Sequence, residues 1–283
     1  MGAKQPMSVI DKAIWFIEGN FNRSPSLDDI ARATGVSRFS LSRSFSWGTG
    51  MPVMAYLRAR RLTEAWKALR DGAPSILAVA LEAGYSSHEG FTRAFRDHFG
   101  ITPDEVRSGC GIDERLLTEP IKMEDWNMAD LEEPRRETRD AFTLVGLGGR
   151  FEMGGGNAIP ALWQRFQPYE GTLGEVPGYW YGVCGDWRED FFYMAGVEVK
   201  RIPADLPPEL TTYRFPAQEY LVFRHEAHLS ELNRTFAAIF GRYIPDHGYE
   251  PVDCFEFYDE GFDPQTGLGG IEIWVPAKGK HQR

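Results

Sequence analysis

The stretches that decide the fold are SLDDIARATGVSRFSLSRSF at residues 26–45 and SILAVALEAGYSSHEGFTRAF at residues 75–95. Each begins with a serine that follows a proline, and serine is a preferred residue at the start of a helix. Nine residues later each has a glycine, Gly35 or Gly84, where a helix ends and the chain turns. A second amphipathic segment follows. The pattern predicts two helix-turn-helix units.

The second helix of each unit carries apolar residues at helical spacing. Leu41 and Phe45 do so in the first copy, and Phe91, Phe95 and Phe99 do so in the second. We expect these residues to face the core. The outward faces are then candidate DNA-binding surfaces, because arginine, serine, threonine and apolar rings can all contact base edges. Their members are Arg38, Phe39, Ser42, Arg43 and Ser46 in copy one, and His88, Glu89, Thr92, Arg93 and Arg96 in copy two.

The segment between the copies, MPVMAYLRARRLTEAWKALR, predicts a single long helix. About 18 residues would give a rod of about 27 Å. Such a rod would hold the two reading helices about 34 Å apart, which is one turn of DNA. A lone arginine is more often solvated surface. Two arginines at equivalent places, Arg43 and Arg93, favour DNA contact instead.

Residues 8–108 resemble the DNA-binding domain of the AraC/XylS family of bacterial transcription regulators. The resemblance lies in GYSSHEGFTRAFRDHFGITP, which ends as the family signature does in Phe99, Gly100 and Pro103. Phe39 and Ser42 depart from the Trp and Gln common in relatives, which affects the target sequence. The resemblance implies double-stranded DNA and RNA polymerase as partners. It also implies a cytoplasmic, nucleoid-associated regulator that acts as a monomer or homodimer.

Composition separates the remainder of the chain from this segment. Residues 1–110 carry a net charge of +3, whereas residues 111–283 carry −13 and 26 of the 38 aromatic residues. An acidic, aromatic half does not suit a second DNA-binding domain. The 283 residues favour two domains. No apolar run approaches the roughly 18 residues of a membrane span, and three scattered cysteines indicate a reducing compartment.

From Ala141 the pattern becomes strand–helix–strand–strand, used twice. The first unit comprises AFTLVGLGGRFEM, IPALWQRFQPYEG, YWYGVCGDW and FFYMAGVEVKRIP, and the second comprises TYRFPAQEYLVFRHEA, LSELNRTFAAIFGRYIPDHG, DCFEFYDEG and GGIEIWVPA. After a linker and edge segment at 109–137, we therefore predict a domain at 138–279. The predicted fold class is an all-α double helix-turn-helix N-terminal domain followed by a C-terminal antiparallel α+β domain of two such repeats.

This double unit resembles GyrI-like effector-binding domains, which some bacterial regulators join to an AraC-type segment. The resemblance implies a cleft for bulky, often cationic, aromatic compounds, with an acidic residue on the penultimate strand. Aromatic rings attract cations, although rings in strands are more often core. The candidate ligand-binding residues are Trp180, Tyr181, Tyr193, Glu256 and Trp274. Glu256 alternates with Phe255 and Phe257, which predicts that it lies on the opposite face of its strand.

Other chemistries have weaker support. A hydrolase is the main alternative, with Glu256 as general base beside Tyr193. A third interpretation makes the acidic half a protein interface. His225 and His228 form HxxH without a clear third ligand, so we expect no metal site and no cofactor. The sequence therefore predicts a DNA-binding transcription regulator that responds to a hydrophobic or cationic small molecule.

Overall fold

The computed structural model describes residues 7–121, 129–152, 158–187, 190–250 and 252–279. The described residues form two compact units. The N-terminal unit comprises residues 7–41 and 51–121. The C-terminal unit comprises Ser42–Gly50 and the described residues from 129 onward. In the described part of the chain, no helix is both long and apolar enough to cross a bilayer.

The helices up to residue 107 confirm the predicted all-α N-terminal segment. They are α1 (Val9–Asn20), α2 (Leu27–Thr34), α3 (Arg38–Thr49), α4 (Val53–Arg70), α5 (Ile76–Glu82), α6 (His88–Phe99) and α7 (Pro103–Arg107). Helix α3 is the second helix of the first helix-turn-helix copy, and α6 is its counterpart in the second. The rod predicted between the copies is α4, with 18 residues.

Serine side chains begin the helices of both copies. Ser26 and Ser75 cap α2 and α5 as predicted, each accepting a hydrogen bond from the backbone N–H three residues on. Helix α2 ends at Gly35, whose φ of 76° lies in the left-handed region that glycine tolerates best. Ser37 caps α3 in the same way, by accepting from the N–H of Ser40. The cap of α6 is Ser87, which accepts from the N–H of Gly90.

Helix α4 organises the core of the N-terminal unit. On one side it packs Leu62 and Trp66 in a cluster with the three buried phenylalanines of α6. On another side Arg60, nearly fully buried, pairs with Glu18 of α1 at 2.9 Å. The phenol of Tyr56 also donates to Glu18, at 2.7 Å. These contacts fix α1 against α4 through a buried polar network that is fully paired.

The C-terminal unit is built on an eight-stranded antiparallel sheet. The strands are β1 (Arg135–Arg139), β2 (Phe142–Glu152), β3 (Trp180–Gly185), β4 (Asp190–Val199), β5 (Leu210–Phe215), β6 (Gln218–His225), β7 (Cys254–Tyr258) and β8 (Ile271–Pro276). Their order is β1-β6-β8-β7-β3-β4-β2-β5. The order is symmetric about the β7–β3 pair, because β6-β8-β7 mirrors β2-β4-β3. The predicted double repeat is confirmed.

One predicted strand is wrong in extent. TYRFPAQEYLVFRHEA forms two strands, β5 and β6, separated by Pro216 and Ala217. Strand β5 pairs with β2, whereas β6 pairs with β8 and β1. Proline has no N–H to donate to a ladder, so the chain leaves one edge of the sheet there and begins again near the other.

Helices cover one face of the sheet. Helix α8 (Ala158–Phe166) and helix α9 (Leu232–Ala238) pack on it, and α9 continues through a π-helical turn at Ile239–Tyr243 and a last turn at Ile244–Asp246. We call this side the helix-covered face. The opposite face is concave, since the ring of Phe255 on β7 lies 5.0 Å from that of Phe215 on β5. A separate aromatic cluster fills it.

Candidate DNA-reading helices and ligand site

Helix α6 presents the surface that the sequence predicts. His88, Glu89, Arg93 and Arg96 are exposed, and Thr92 is half-buried, while its three phenylalanines are buried. Arg93 and Arg96 are three residues apart and therefore lie on one face of the helix. Two arginines in that arrangement can donate to base edges or to phosphates in a major groove. Contact with DNA by these residues stays a prediction.

Helix α3 differs from α6 along its second half. Arg38 and Phe39 are exposed, and Arg38 pairs with Asp28 of α2 at 3.1 Å. Ser42 is half-buried. Arg43 and Ser46, however, are only 1% and 5% exposed. The expected position of these two side chains on an outward face is therefore wrong in this structure. They lie inside the C-terminal unit, where the second half of α3 packs on the helix-covered face.

The Arg43 guanidinium is held by polar and aromatic partners together. Its Nη2 donates to the Cys254 Sγ at 3.1 Å, and its Nη1 donates to the backbone oxygen of Val252. Its Cζ lies 4.0 Å from the ring centre of Phe240 and 4.4 Å from that of Trp187. Burial lowers the pKa of Arg43, although an arginine stays charged in such a site.

Trp47 lies one turn after Arg43 and extends this contact. Its indole stacks on the ring of Phe236 in α9, with centroids 4.1 Å apart and planes at 7°. In the second copy the equivalent position is Asp97, which is exposed. The sequence held a signal that we missed. A tryptophan one turn from an arginine, on a helix face expected to meet solvent, indicates that this face is covered.

Glu256 is the centre of the candidate ligand site. It is 4% exposed and lies on the helix-covered face, opposite to Phe255 and Phe257, as predicted. The phenols of Tyr193 and Tyr258 both donate to its Oε2, at 2.6 and 2.9 Å. Among the described residues, no basic side chain forms an ion pair with it. Burial raises the pKa of Glu256 to about 7, and the two tyrosine hydrogen bonds oppose that rise.

Two further contacts shape this site. The Trp163 indole of α8 donates to the Tyr193 hydroxyl at 3.0 Å, so α8 lies over the tyrosine that reaches Glu256. Gly182 of β3 is the residue directly opposite Glu256 in the ladder. A Cβ at Gly182 would lie 2.3 Å from both the Glu256 Oε2 and the Tyr193 hydroxyl. Only glycine leaves room there, and a glycine inside a buried strand was the available signal.

Comparison with known families agrees with both halves of the geometry. Residues 30–109 match the model of a helix-turn-helix domain, and residues 132–278 match that of a GyrI-like small molecule binding domain. The second match alone spans more than half of the chain. This chain belongs to the AraC/XylS family of transcription regulators and carries a GyrI-like domain.

Curated relatives of this AraC-type regulator support the assignment. The HTH-type transcriptional activator AarP of Providencia stuartii is 37% identical over 114 residues, which cover 40% of this chain and 84% of AarP. The transcriptional regulator BrlR of Pseudomonas aeruginosa is 30% identical over 182 residues, covering 60% of this chain and 66% of BrlR. The solved structure of SAV2435 bound to tetraphenylphosphonium is 22% identical over 52% of this chain and 95% of its own, with a TM-score of 0.42. The two family matches, AarP and BrlR give no support to the hydrolase alternative.

Only some of the predicted ligand-binding residues lie on the same face of the sheet as Glu256. Tyr193 is bonded to Glu256, and Trp180 lies on the same face, beside an open cavity of about 520 Å³ lined also by Glu170 and Glu175. Tyr181 and Trp274 belong to the aromatic cluster of the concave face, on the side of the sheet opposite to Glu256, and contact of either residue with a ligand stays a prediction. Because side chains alternate along a strand, these two residues point away from Glu256. The residues that the sequence analysis missed are Trp163, Gly182, Cys184 and Tyr258.

The remaining candidates have structural roles. Glu198 forms an ion pair with Arg139, and Glu272 forms one with Arg135. The His225 ring is buried, and its nitrogens are hydrogen-bonded to the Thr235 hydroxyl and a backbone oxygen. Across the ranges that the structure describes, no three His, Cys, Asp or Glu side chains are placed to hold a metal ion.

Proposed function

We propose that this regulator binds a site of two successive major grooves and that a bulky aromatic cation, bound at Glu256, controls that binding. The observation that carries the proposal is the buried Glu256 carboxyl, which has no ion-pair partner among the residues that the structure describes. A carboxyl with a pKa of about 7 pays a large desolvation penalty when it ionises. An entering cation would remove much of that penalty, and the Tyr193 and Tyr258 hydroxyls are already oriented to stabilise the anion.

The DNA-binding half of the proposal rests on α6 and on the first half of α3. Arg93 and Arg96 are exposed on α6, and Arg38 and Phe39 are exposed on α3. Because both helices are carried by one chain, a monomer would suffice for an asymmetric site. AarP is named a transcriptional activator, and we propose that this regulator also activates, through contact with RNA polymerase on the nucleoid in the cytoplasm.

A pair of dyes that carry the same three aryl groups and differ in charge tests the ligand site. Crystal violet is a triaryl cation, and its leuco form is the neutral counterpart. Binding of each to the full chain without DNA is measured by tryptophan fluorescence at pH 8. We expect Glu256→Gln to lower the affinity for crystal violet about tenfold, because a desolvated charge pair is lost. The affinity for the leuco dye should be unchanged.

The matched control is Glu272→Gln, which alters a strand carboxyl on the concave face. It should leave both dyes unaffected. If Glu256→Gln weakens the cation and the neutral dye equally, Glu256 is not a counter-charge. If neither dye binds the wild-type chain, the ligand half of the proposal fails, whatever the variants do.

A further inference from the structure

The second half of α3 lies next to the carboxyl that we propose as the cation site. Arg43 donates to Cys254, which is two residues before Glu256 and therefore on the same face of β7. Cys184 is paired with Cys254 across the β3–β7 ladder, and its Sγ lies 3.9 Å from the Glu256 Oε1. A positively charged, aromatic-bound side chain of the protein itself thus occupies the immediate neighbourhood of the site.

The chemistry of this contact matches the proposed ligand class. The Arg43 guanidinium is a planar, delocalised cation that contacts the rings of Phe240 and Trp187. One turn later the Trp47 indole stacks on Phe236 and lies 5.7 Å from Trp187. Together the two side chains present a flat cation joined to an aromatic ring. The surface therefore has the partners that such a compound requires.

The fit of α3 on this surface is incomplete. In the described part of the chain, three buried donors of the contact have no hydrogen-bond acceptor: Arg43 Nε, Trp47 Nε1 and Trp187 Nε1. A buried donor without an acceptor is costly. A compound that presents fewer donors, or that carries acceptors for the Trp187 indole, would avoid that cost.

We propose that Arg43 and Trp47 act as an internal ligand, and that a planar cation bearing an aromatic ring competes with them for one surface. The aryl amidines and aryl guanidines are the chemical class that this geometry fits. When the compound binds, Arg43 and Ser46 are released and can take part in reading DNA. This inference rests on the proposed function, because it concerns regulation at the same site. Binding of the compound and release of the helix are then coupled by mutual exclusion.

The test uses p-aminobenzamidine, a flat aryl cation, and p-aminobenzamide, its neutral analogue. Their dissociation constants are measured on the full chain without DNA, for the wild type and for Arg43→Ala. Removal of the internal competitor should raise the affinity for the amidine about tenfold, since Arg43 must leave the surface before the compound binds to the wild type. The neutral amide should bind far more weakly than the amidine to both chains. The matched control is Arg93→Ala, at the equivalent position of the second copy, which should bind the amidine as the wild type does.

A second variant keeps the test decisive if Arg43→Ala does not fold. Trp47→Asp introduces the residue type found at the equivalent position of α6 and removes the stack on Phe236. This variant should also bind the amidine several-fold more tightly than the wild type does. Equal or weaker amidine affinity in both variants would overturn the internal-ligand proposal, as would the absence of amidine binding in every variant.

The two proposals fail in different ways. If crystal violet still requires Glu256 while amidine affinity does not depend on Arg43 or Trp47, the internal ligand is wrong and the proposed function stands. If Arg43→Ala and Trp47→Asp tighten the amidine while Glu256→Gln affects neither dye, the surface binds planar cations and Glu256 is not its counter-charge. In that case the internal ligand stands and the Glu256 role falls.

Discussion

Helices α3 and α6 begin from one sequence pattern and end in different surroundings. Both are capped by serine, and both bury two apolar side chains four residues apart, Leu41 and Phe45 in α3 and Phe91 and Phe95 in α6. Their other faces differ, because Arg93 is exposed on α6 whereas Arg43 is 1% exposed on α3. The comparison teaches that a repeated pattern fixes how a helix meets its own core. What covers the remaining face depends on particular residues. At equivalent positions α3 has Ser46 and Trp47, whereas α6 has Arg96 and Asp97.

The largest effect should come from the shared part of the two helices. Phe45→Ala and Phe95→Ala each remove a fully buried ring, and each should lower the free energy of unfolding by about 3–5 kcal/mol. Chemical denaturation of the full chain measures both. Phe39→Ala, which alters a 39% exposed ring, is the control and should change little. A much smaller loss for one anchor than for the other would show that the two copies are not equivalent at their cores.

The second prediction concerns the face that α3 occupies and α6 does not. The pKa of Glu256 is raised from 4.5 to about 7 in the folded chain, so the protonated carboxyl favours folding. Stability from this group is therefore full below about pH 4.5 and falls as the pH rises to about 7. The shift corresponds to a loss of about 3 kcal/mol in the free energy of unfolding over this pH range. Glu256→Gln should not show this loss, because its side chain does not ionise. Unfolding of both chains at pH 5 and pH 8 measures the difference, and parallel pH profiles would contradict it.

The third prediction compares the two arginines on DNA. A specific duplex is first selected from a randomised pool and compared with its scrambled version. Arg93→Ala should weaken specific binding by about 1–3 kcal/mol, the range for a bidentate base contact. Arg43→Ala should cost less without added ligand, because it removes a contact in the buried state as well as one on DNA. Equal losses for the two variants would argue that α3 and α6 reach DNA equally freely.

The smallest effect should come from the helix caps. Ser37 and Ser87 each accept a hydrogen bond from the backbone N–H three residues on, both at 3.1 Å. Replacing either by alanine should lower the free energy of unfolding by about 1 kcal/mol, and replacement by glycine should cost less. Thermal denaturation of the four variants checks this. A cap that costs nothing in one copy would mark a real difference in how the two reading helices begin.

The fold was largely predictable because it depends on local patterns. The repeated helix-turn-helix pattern and the long helix between its copies located α2 through α6, and period-two alternation placed Glu256 and Phe255 on opposite faces of β7. The same alternation implies that Tyr181 and Trp274 lie on the face opposite to Glu256, but that conclusion was not drawn from the sequence. The burial of Arg43 was beyond such patterns, because it depends on contacts with Val252, Cys254 and Phe240, about two hundred residues away in the chain.

The sequence predicted the charged residue of the candidate site, Glu256, but not most of the side chains that contact it. A glutamate on an aromatic strand indicated a buried counter-charge. Tyr258, two residues along the same strand, contacts the same oxygen and was accessible to that reasoning. Trp163 and Gly182 were not, because their role follows from how α8 and β3 pack against β7. Sequence patterns assign residues to faces, and tertiary contacts decide which of them meet.

The mirrored strand order has a consequence for the charge at its centre. Gly182 and Glu256 are 74 residues apart, the same offset that relates Val197 to Ile271, and they face each other across the seam of the two repeats. A perfectly duplicated unit would present the same side chain twice at that axis. Two carboxylates would repel each other, and two glycines would offer no anion. With one of each, the two repeats differ at this pair, and the ladder between β3 and β7 holds one buried carboxyl with the space beside it left open by a glycine.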